Sequence, residues 1–151
     1  MSFLKLVFLL LHVITAAAWF GLALRLSGMA RRIGGLRGEA AKALADCGAR
    51  DVRLLTLSLL LTFAFAMGLL ALGRGYPGQM EYHIASALIV VLVGVHFFLI
   101  RPAWKGLSAA AASQEGTHVF QKRIAGATGL GHLIWLTLLI LMFWRRFEAV
   151  L

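Results

Sequence analysis

Acidic residues and cysteine are scarce in this chain of 151 residues. Asp and Glu together number 6 against 15 Lys and Arg, and Cys47 is the one cysteine. A single cysteine excludes an internal disulfide framework and a cysteine-rich metal site, and the C-x-x-C-H motif of c-type haem attachment is absent. Apart from Glu81 at the margin of one run, the long apolar runs contain no carboxylate. A carboxylate-bridged di-metal site is therefore excluded.

Apolar residues are abundant instead. They make up 61% of the chain, against about 45–50% in soluble domains, and the mean hydropathy is +0.87. Four runs are long enough to cross a hydrocarbon core of about 30 Å, and in lipid a helix satisfies its own backbone polar groups. We therefore predict an all-α integral membrane four-helix bundle in one domain, with helices at about 3–26, 54–72, 80–100 and 120–144.

Basic residues flank these runs and give the net charge of +9. Membrane topology explains this charge better than binding to nucleic acid does. Most of the basic residues lie in the two long connections, Arg25–Arg53 and Arg101–Arg123. The positive-inside rule predicts a multi-pass protein of the bacterial inner membrane, with both long connections in the cytoplasm and both termini in the periplasm.

Three connecting segments have compositions of their own. The Ala-rich stretch from Arg37 to Cys47 is predicted to form a short surface helix. The segment from Ser108 to Gly116 is predicted to be a flexible polar link. The segment from Gly73 to Gly78 is rich in Gly and contains Pro77, which predicts a tight turn between antiparallel neighbours.

Five histidines are the main candidates for chemistry. Four lie inside apolar runs on three predicted helices, and the fifth begins the last run: His12, His83, His96, His132 and His118. An ionisable side chain inside a membrane helix points to a functional site, and neutral imidazole is a common ligand of haem iron. The alternative interpretation is that these side chains form hydrogen bonds between helices.

Depth in the membrane separates the histidines. At about 1.5 Å per residue, His12 lies about 13 Å and His83 about 5 Å below the outer edge. They are the preferred axial pair for a haem b, and His132 near the middle of its run is a further candidate for that site. His96 and His118 lie in the inner half, where they form a second candidate pair for another haem.

Further residues are assigned to the cofactor site by position. Trp19 shares a helix face with His12 at i, i+7, and Arg101 lies on the His83 face, where it is a candidate partner for a propionate. The alternatives are an interface aromatic for Trp19 and a topology anchor for Arg101. Small residues before His132, at Gly126, Gly129 and Gly131, either leave room for a porphyrin or let helices approach closely.

Two short motifs resemble a known family. The segment H-V-I-T-A-A-A-W-F-G from His12 to Gly21 is similar to the first helix of the HemJ type of protoporphyrinogen IX oxidase and of the related CopD-type copper-resistance membrane proteins. The segment from Tyr82 to His96 is similar to the third HemJ helix. The resemblance implies a four-helix membrane bundle that binds haem b through His12 and His83. Ala85 stands where HemJ proteins have a lysine.

Three functions follow as hypotheses. The first is a b-type haem protein that transfers electrons between a quinone and a partner redox protein. The second is an enzyme that oxidises protoporphyrinogen IX, as the resemblance to HemJ implies; the CopD side of the resemblance implies copper uptake. The third is a non-catalytic helical subunit of a larger membrane complex. A homo-oligomer is compatible with each of them.

Overall fold

The computed structural model describes residues 3–73, 80–113 and 116–148, with side chains as far as residue 143. The helices are α1 (Phe3–Gly35), α2 (Gly38–Leu72), α3 (Met80–Gly94), a π-helical segment (Val95–Ile100), α4 (Arg101–Ser113) and α5 (Thr117–Glu148). The helix from Met80 to Ser113 is continuous through the π segment, so the chain forms four long helices. All four are long and apolar enough to cross a membrane, which confirms the predicted fold class.

The helices are longer than the apolar runs that predicted them. α1 has 33 residues and α2 has 35, so each is about 50 Å long at 1.5 Å per residue. The predicted surface helix from Arg37 to Cys47 is the first part of α2 from Gly38 onwards, and the predicted flexible link is helical as far as Ser113. Ala, Leu, Arg and Lys are strong helix formers, so the helices continue beyond the membrane.

The tight connection between α1 and α2 contains two residues, Leu36 and Arg37. Gly38 has a φ of +59°, a conformation that glycine adopts without steric cost. The other short turn, predicted between Gly73 and Gly78, lies almost wholly outside the described residues.

The helix extensions beyond the apolar runs pack into a core of their own, which we call the basic end (residues 26–53, 101–113 and 116–123). Trp104 of α4 is buried against α2, where its indole N–H donates to the carbonyl of Ala45 at 3.3 Å. Gly48 lies directly beneath the Trp104 ring. Other buried side chains of this core are Met29, Ala30, Ile33, Ala41, Leu107, Ala110 and Ala111. This end is therefore tightly packed.

The opposite end, where α1 begins and α5 ends, is packed much less tightly. We call it the terminal end (residues 3–11, 63–72, 80–88 and 139–143). None of its described residues is buried. The first buried side chains below it are His12, Thr62, Ile89 and Leu138. The described side chains at this end are therefore partly or fully exposed.

The order of the helices around the bundle determines which of the histidine-bearing helices are neighbours. α1 packs chiefly against α2 and α5, α3 packs against α5, and α4 packs against α2 and α5. α5 therefore separates α1 from α3, which lie diagonally opposite one another.

Candidate functional site

His12 is held in a defined orientation between α1 and α2. Its side chain is buried, and its Nδ1 lies 3.0 Å from the backbone carbonyl of Thr62. Because a carbonyl only accepts hydrogen bonds, Nδ1 carries the proton and Nε2 carries the lone pair. An imidazole whose other nitrogen donates to a carbonyl is the usual arrangement of a histidine that binds a metal. His12 thus has the tautomer that a ligand of haem iron requires.

Two threonines surround this histidine. The Thr62 hydroxyl lies 3.0 Å from that of Thr15, and it donates to the Ser58 carbonyl at 2.7 Å. These contacts fix the turn of α2 that presents the Thr62 carbonyl to His12. The polar groups around His12 therefore satisfy one another, as buried polar groups must.

The depth of His83 relative to that of His12 follows from contacts deeper in the bundle. Gly131 of α5 lies between Trp19 of α1 and Leu92 of α3, so Trp19 and Leu92 are at one level. His12 is seven residues from Trp19 and His83 is nine residues from Leu92, both towards the terminal end. At 1.5 Å per residue these are about 10.5 and 13.5 Å, so His12 and His83 lie within about 3 Å of the same depth.

The side chains of this pair have different surroundings. His12 is buried and packs towards α2, whereas the side chain of His83 is exposed on α3. The two histidines lie on diagonally opposite helices, and the inner boundary of the loosely packed terminal end coincides with His12. Their common ligation of one iron stays a prediction, to which the matching depths lend support.

His96 has a different hydrogen bond from the one expected of an iron ligand. It is fully buried, and its Nε2 lies 2.7 Å from the Thr56 hydroxyl, which donates its own proton to the Val52 carbonyl at 2.8 Å. His96 Nε2 is therefore the donor and Nδ1 carries the lone pair. The hydrogen bond from His96 Nε2 to Thr56 thus joins the π segment to α2.

The structure does not bring His96 and His118 together. Gly106 of α4 lies against Phe120 of α5, so these two residues share a level. His96 is ten residues from Gly106 towards the terminal end, whereas His118 is two residues from Phe120 in the opposite direction. Their separation along the bundle axis is about 18 Å, and His118 is exposed. One haem does not bridge two histidines at such different depths.

His132 belongs to an aromatic cluster between α1 and α5. Its ring centroid is 4.9 Å from that of Phe20 and 6.1 Å from that of Trp19, and Phe20 stacks on Trp135 at 4.5 Å. Aromatic packing of this kind stabilises helix contacts. Among the described residues, Trp19 Nε1 and His132 Nε2 are buried and find no hydrogen-bond partner. Both nitrogens therefore remain able to form a hydrogen bond at this depth of the bundle.

The surroundings of Arg101 and of the glycines of α5 are defined by the structure, while their roles at a cofactor site stay predictions. The Arg101 guanidinium lies 5.1 Å from the centroid of the Phe97 ring, at the far side of the bundle from His83. Gly131 allows Trp19 and Leu92 to approach α5, whereas a Cβ at Gly126 or Gly129 would meet nothing within 4 Å. The glycines therefore serve close packing at Gly131 and leave open surface at the other two.

Sequence reasoning missed the partners of both buried histidines, Thr62 and Thr56. Neither stands in a motif, and their roles depend on the register between α2 and its neighbours. A threonine or serine in a membrane helix is a weak signal of such a bond.

Within the described ranges, no group of three or more His, Cys, Asp or Glu side chains converges on a point. A haem held by two imidazoles needs only two such side chains. Comparisons with protein-family models, with curated proteins and with solved structures find no match to this chain. The resemblance to HemJ and CopD proteins therefore stays an expectation that rests on its short motifs.

Proposed function

We propose that this chain is a membrane b-type haem protein that transfers electrons, with His12 and His83 as the axial ligands. The observation that carries the proposal is the buried His12, whose Nδ1 donates to the Thr62 carbonyl and whose Nε2 bears the lone pair. The similar depths of His12 and His83, within about 3 Å of one another on diagonal helices, support the choice of the second ligand.

The residues of the chain would perform three tasks at this site. The Thr62 carbonyl would hold the His12 ring in one orientation and increase its basicity as a ligand. The buried surroundings of His12 would exclude water from that side of the site. His83, nearer the membrane surface, would complete the pair. A bound haem would supply one-electron redox chemistry at a potential set by its ligands and by its burial.

We place the terminal end of the bundle at the periplasmic face of a bacterial inner membrane, because the basic residues concentrate at the other end. The haem would then lie near the outer surface, within reach of a quinone in the membrane or of a partner redox protein outside it. Electron exchange with these two classes of partner is the function that such a position serves.

The test is a reduced-minus-oxidised spectrum of the protein purified in detergent, recorded first with dithionite and then with a quinol as the reductant. We expect the α-band of a b-type haem with both reductants. Reduction by dithionite but not by any quinol would remove the quinone from the proposal. A haem-containing protein that oxidises protoporphyrinogen IX would instead support the enzyme hypothesis.

A further inference from the structure

One groove lies where the π segment and α4 meet α5, and a second adjoins it along the π segment and the start of α4. The larger has a volume of about 340 Å³ and is lined by Phe98, Leu99, Pro102, Ala103, Arg123 and Ala127. The smaller, of about 240 Å³, is lined by Phe97, Arg101, Pro102 and Lys105. Pro102 lines both, so the two grooves adjoin at this residue, and we call them together the basic groove.

The basic groove combines positive charge with apolar walls. Its charged lining residues are Arg101, Lys105 and Arg123, and none of its lining residues is acidic. The remaining walls are aromatic, aliphatic or proline, and the Phe98 side chain is 80% exposed. A ligand that fits both features has an anionic group and a hydrocarbon part.

The groove lies at the edge of the hydrocarbon core. Arg101 is the first charged residue after the apolar run of α3 and the π segment, and Arg123 is the last before the uninterrupted apolar part of α5. The contact between Gly106 and Phe120 puts the two arginines within about 3 Å of the same depth. The cations therefore lie at headgroup level, with the apolar walls beside them.

The local backbone contributes to the shape of the groove. The Arg101 N–H donates to the His96 carbonyl, five residues back, and Pro102 has no N–H to continue this pattern. One carbonyl in the turn that contains Phe97 is therefore left without its helical donor. Pro102 lines both grooves, so the end of the π segment shapes the surface where they adjoin.

We propose that the basic groove binds an anionic phospholipid, with the phosphate on Arg101 and Lys105 in the smaller groove and an acyl chain along Phe98, Leu99 and Ala127 in the larger one, where Arg123 adds a positive charge at headgroup level. Basic pockets between membrane helices bind anionic headgroups through the same combination of features. Arg101 is nine residues from Leu92 and His12 is seven residues from Trp19 in the opposite direction, so this site is about 24 Å from His12 along the bundle axis. It does not depend on haem binding.

The test measures lipid binding to the purified full chain by native mass spectrometry, with dioleoyl phosphatidylglycerol and dioleoyl phosphatidylcholine as probes. The double variant Arg101→Gln/Arg123→Gln is compared with Arg32→Gln/Lys122→Gln, which removes two exposed cations outside the groove. We expect the first variant to weaken phosphatidylglycerol binding by about an order of magnitude and the second to change it little.

Four results would overturn the proposal. They are equal binding of the two lipids by the wild-type protein, equal losses in the two double variants, unchanged binding in the groove variant, and competition by millimolar inorganic phosphate, which would identify a site for free phosphate. If the groove variant does not fold, Lys105→Gln replaces it, with Lys42→Gln as the control. The same criteria then apply to the single variants.

Discussion

Replacement of Gly48 by alanine tests the packing of the basic end. A Cβ at this position would collide with the ring of Trp104, so the ring must move away from α2. Overpacking of this kind costs about 1–3 kcal/mol. Weakening the bond from Trp104 to the Ala45 carbonyl costs about 1 kcal/mol more, while the higher helix propensity of alanine returns about 1 kcal/mol. We therefore expect a net destabilisation of about 1–3 kcal/mol.

Gly28→Ala is the matched control. Gly28 is exposed in α1, and a Cβ there would meet nothing within 4 Å, so the same substitution should stabilise the protein by up to about 1 kcal/mol. Unfolding is followed by far-ultraviolet circular dichroism during titration with sodium dodecyl sulfate in mixed micelles. The reasoning is refuted if Gly48→Ala is as stable as Gly28→Ala.

A second variant separates the collision from other effects of the methyl group. In a Trp104→Phe background the smaller ring leaves room for the alanine Cβ, so Gly48→Ala should cost less there than in the wild-type protein. A coupling energy above about 0.5 kcal/mol is expected for residues in direct contact. Additive effects would mean that Trp104 does not lie on Gly48.

Three further substitutions test the histidines. Thr56→Val removes the acceptor of His96 Nε2 and should destabilise the protein by about 1–3 kcal/mol. The double variant Thr56→Val/His96→Leu should recover most of this loss in the same titration with sodium dodecyl sulfate. A double variant that recovers no stability would argue against the hydrogen bond. His83→Ala should abolish the haem absorbance, because water replaces an axial imidazole poorly at an apolar site, and full absorbance in this variant would remove His83 from the ligand pair. His118→Ala should leave the haem spectrum unchanged, and its loss would show that the assignment of depths is wrong.

The fold class could be predicted from the sequence because each membrane span needs about 20 apolar residues, and four such runs are present. The helix ends could not, because the apolar runs stop at the membrane edge while the helices do not. The stretch from Gly38 to Arg53 is rich in alanine and charged residues, which favour helix in water. Trp104 and Ala45 then provide the contacts that hold these extensions together.

The candidate site could be predicted only in part, for a different reason. Counting residues along a helix places both His12 and His83 in the half of the membrane at the terminal end. It puts them about 8 Å apart in depth, because the offset between the two helices is set by contacts such as that of Gly131 with Trp19 and Leu92. It does not give the partner of His12 or of His96, because that depends on how α2 is rotated and shifted against its neighbours. The one signal of the π segment in the sequence is Pro102 inside a helix, because a proline lacks the N–H that would continue the regular hydrogen-bond pattern.

The predicted pairing of His96 with His118 rests only on the half of the membrane in which each residue lies, and this criterion is too coarse to show that two residues share a depth. Both lie in the half nearer the basic end, but the contact of Gly106 with Phe120 separates them by about 18 Å along the axis. The same comparison through Trp19 and Leu92 puts His12 and His83 at similar depths, and their pairing stays a prediction.

The most direct test of the proposed site is the pyridine haemochrome assay, which measures haem per chain in the purified wild-type protein and in His12→Ala side by side. We expect one b-type haem per chain in the wild-type protein, and little or none in the variant, which loses the buried ligand that the Thr62 carbonyl orients. Absence of haem from the wild-type protein, or equal haem contents in the two proteins, would contradict the assignment of His12 as an axial ligand.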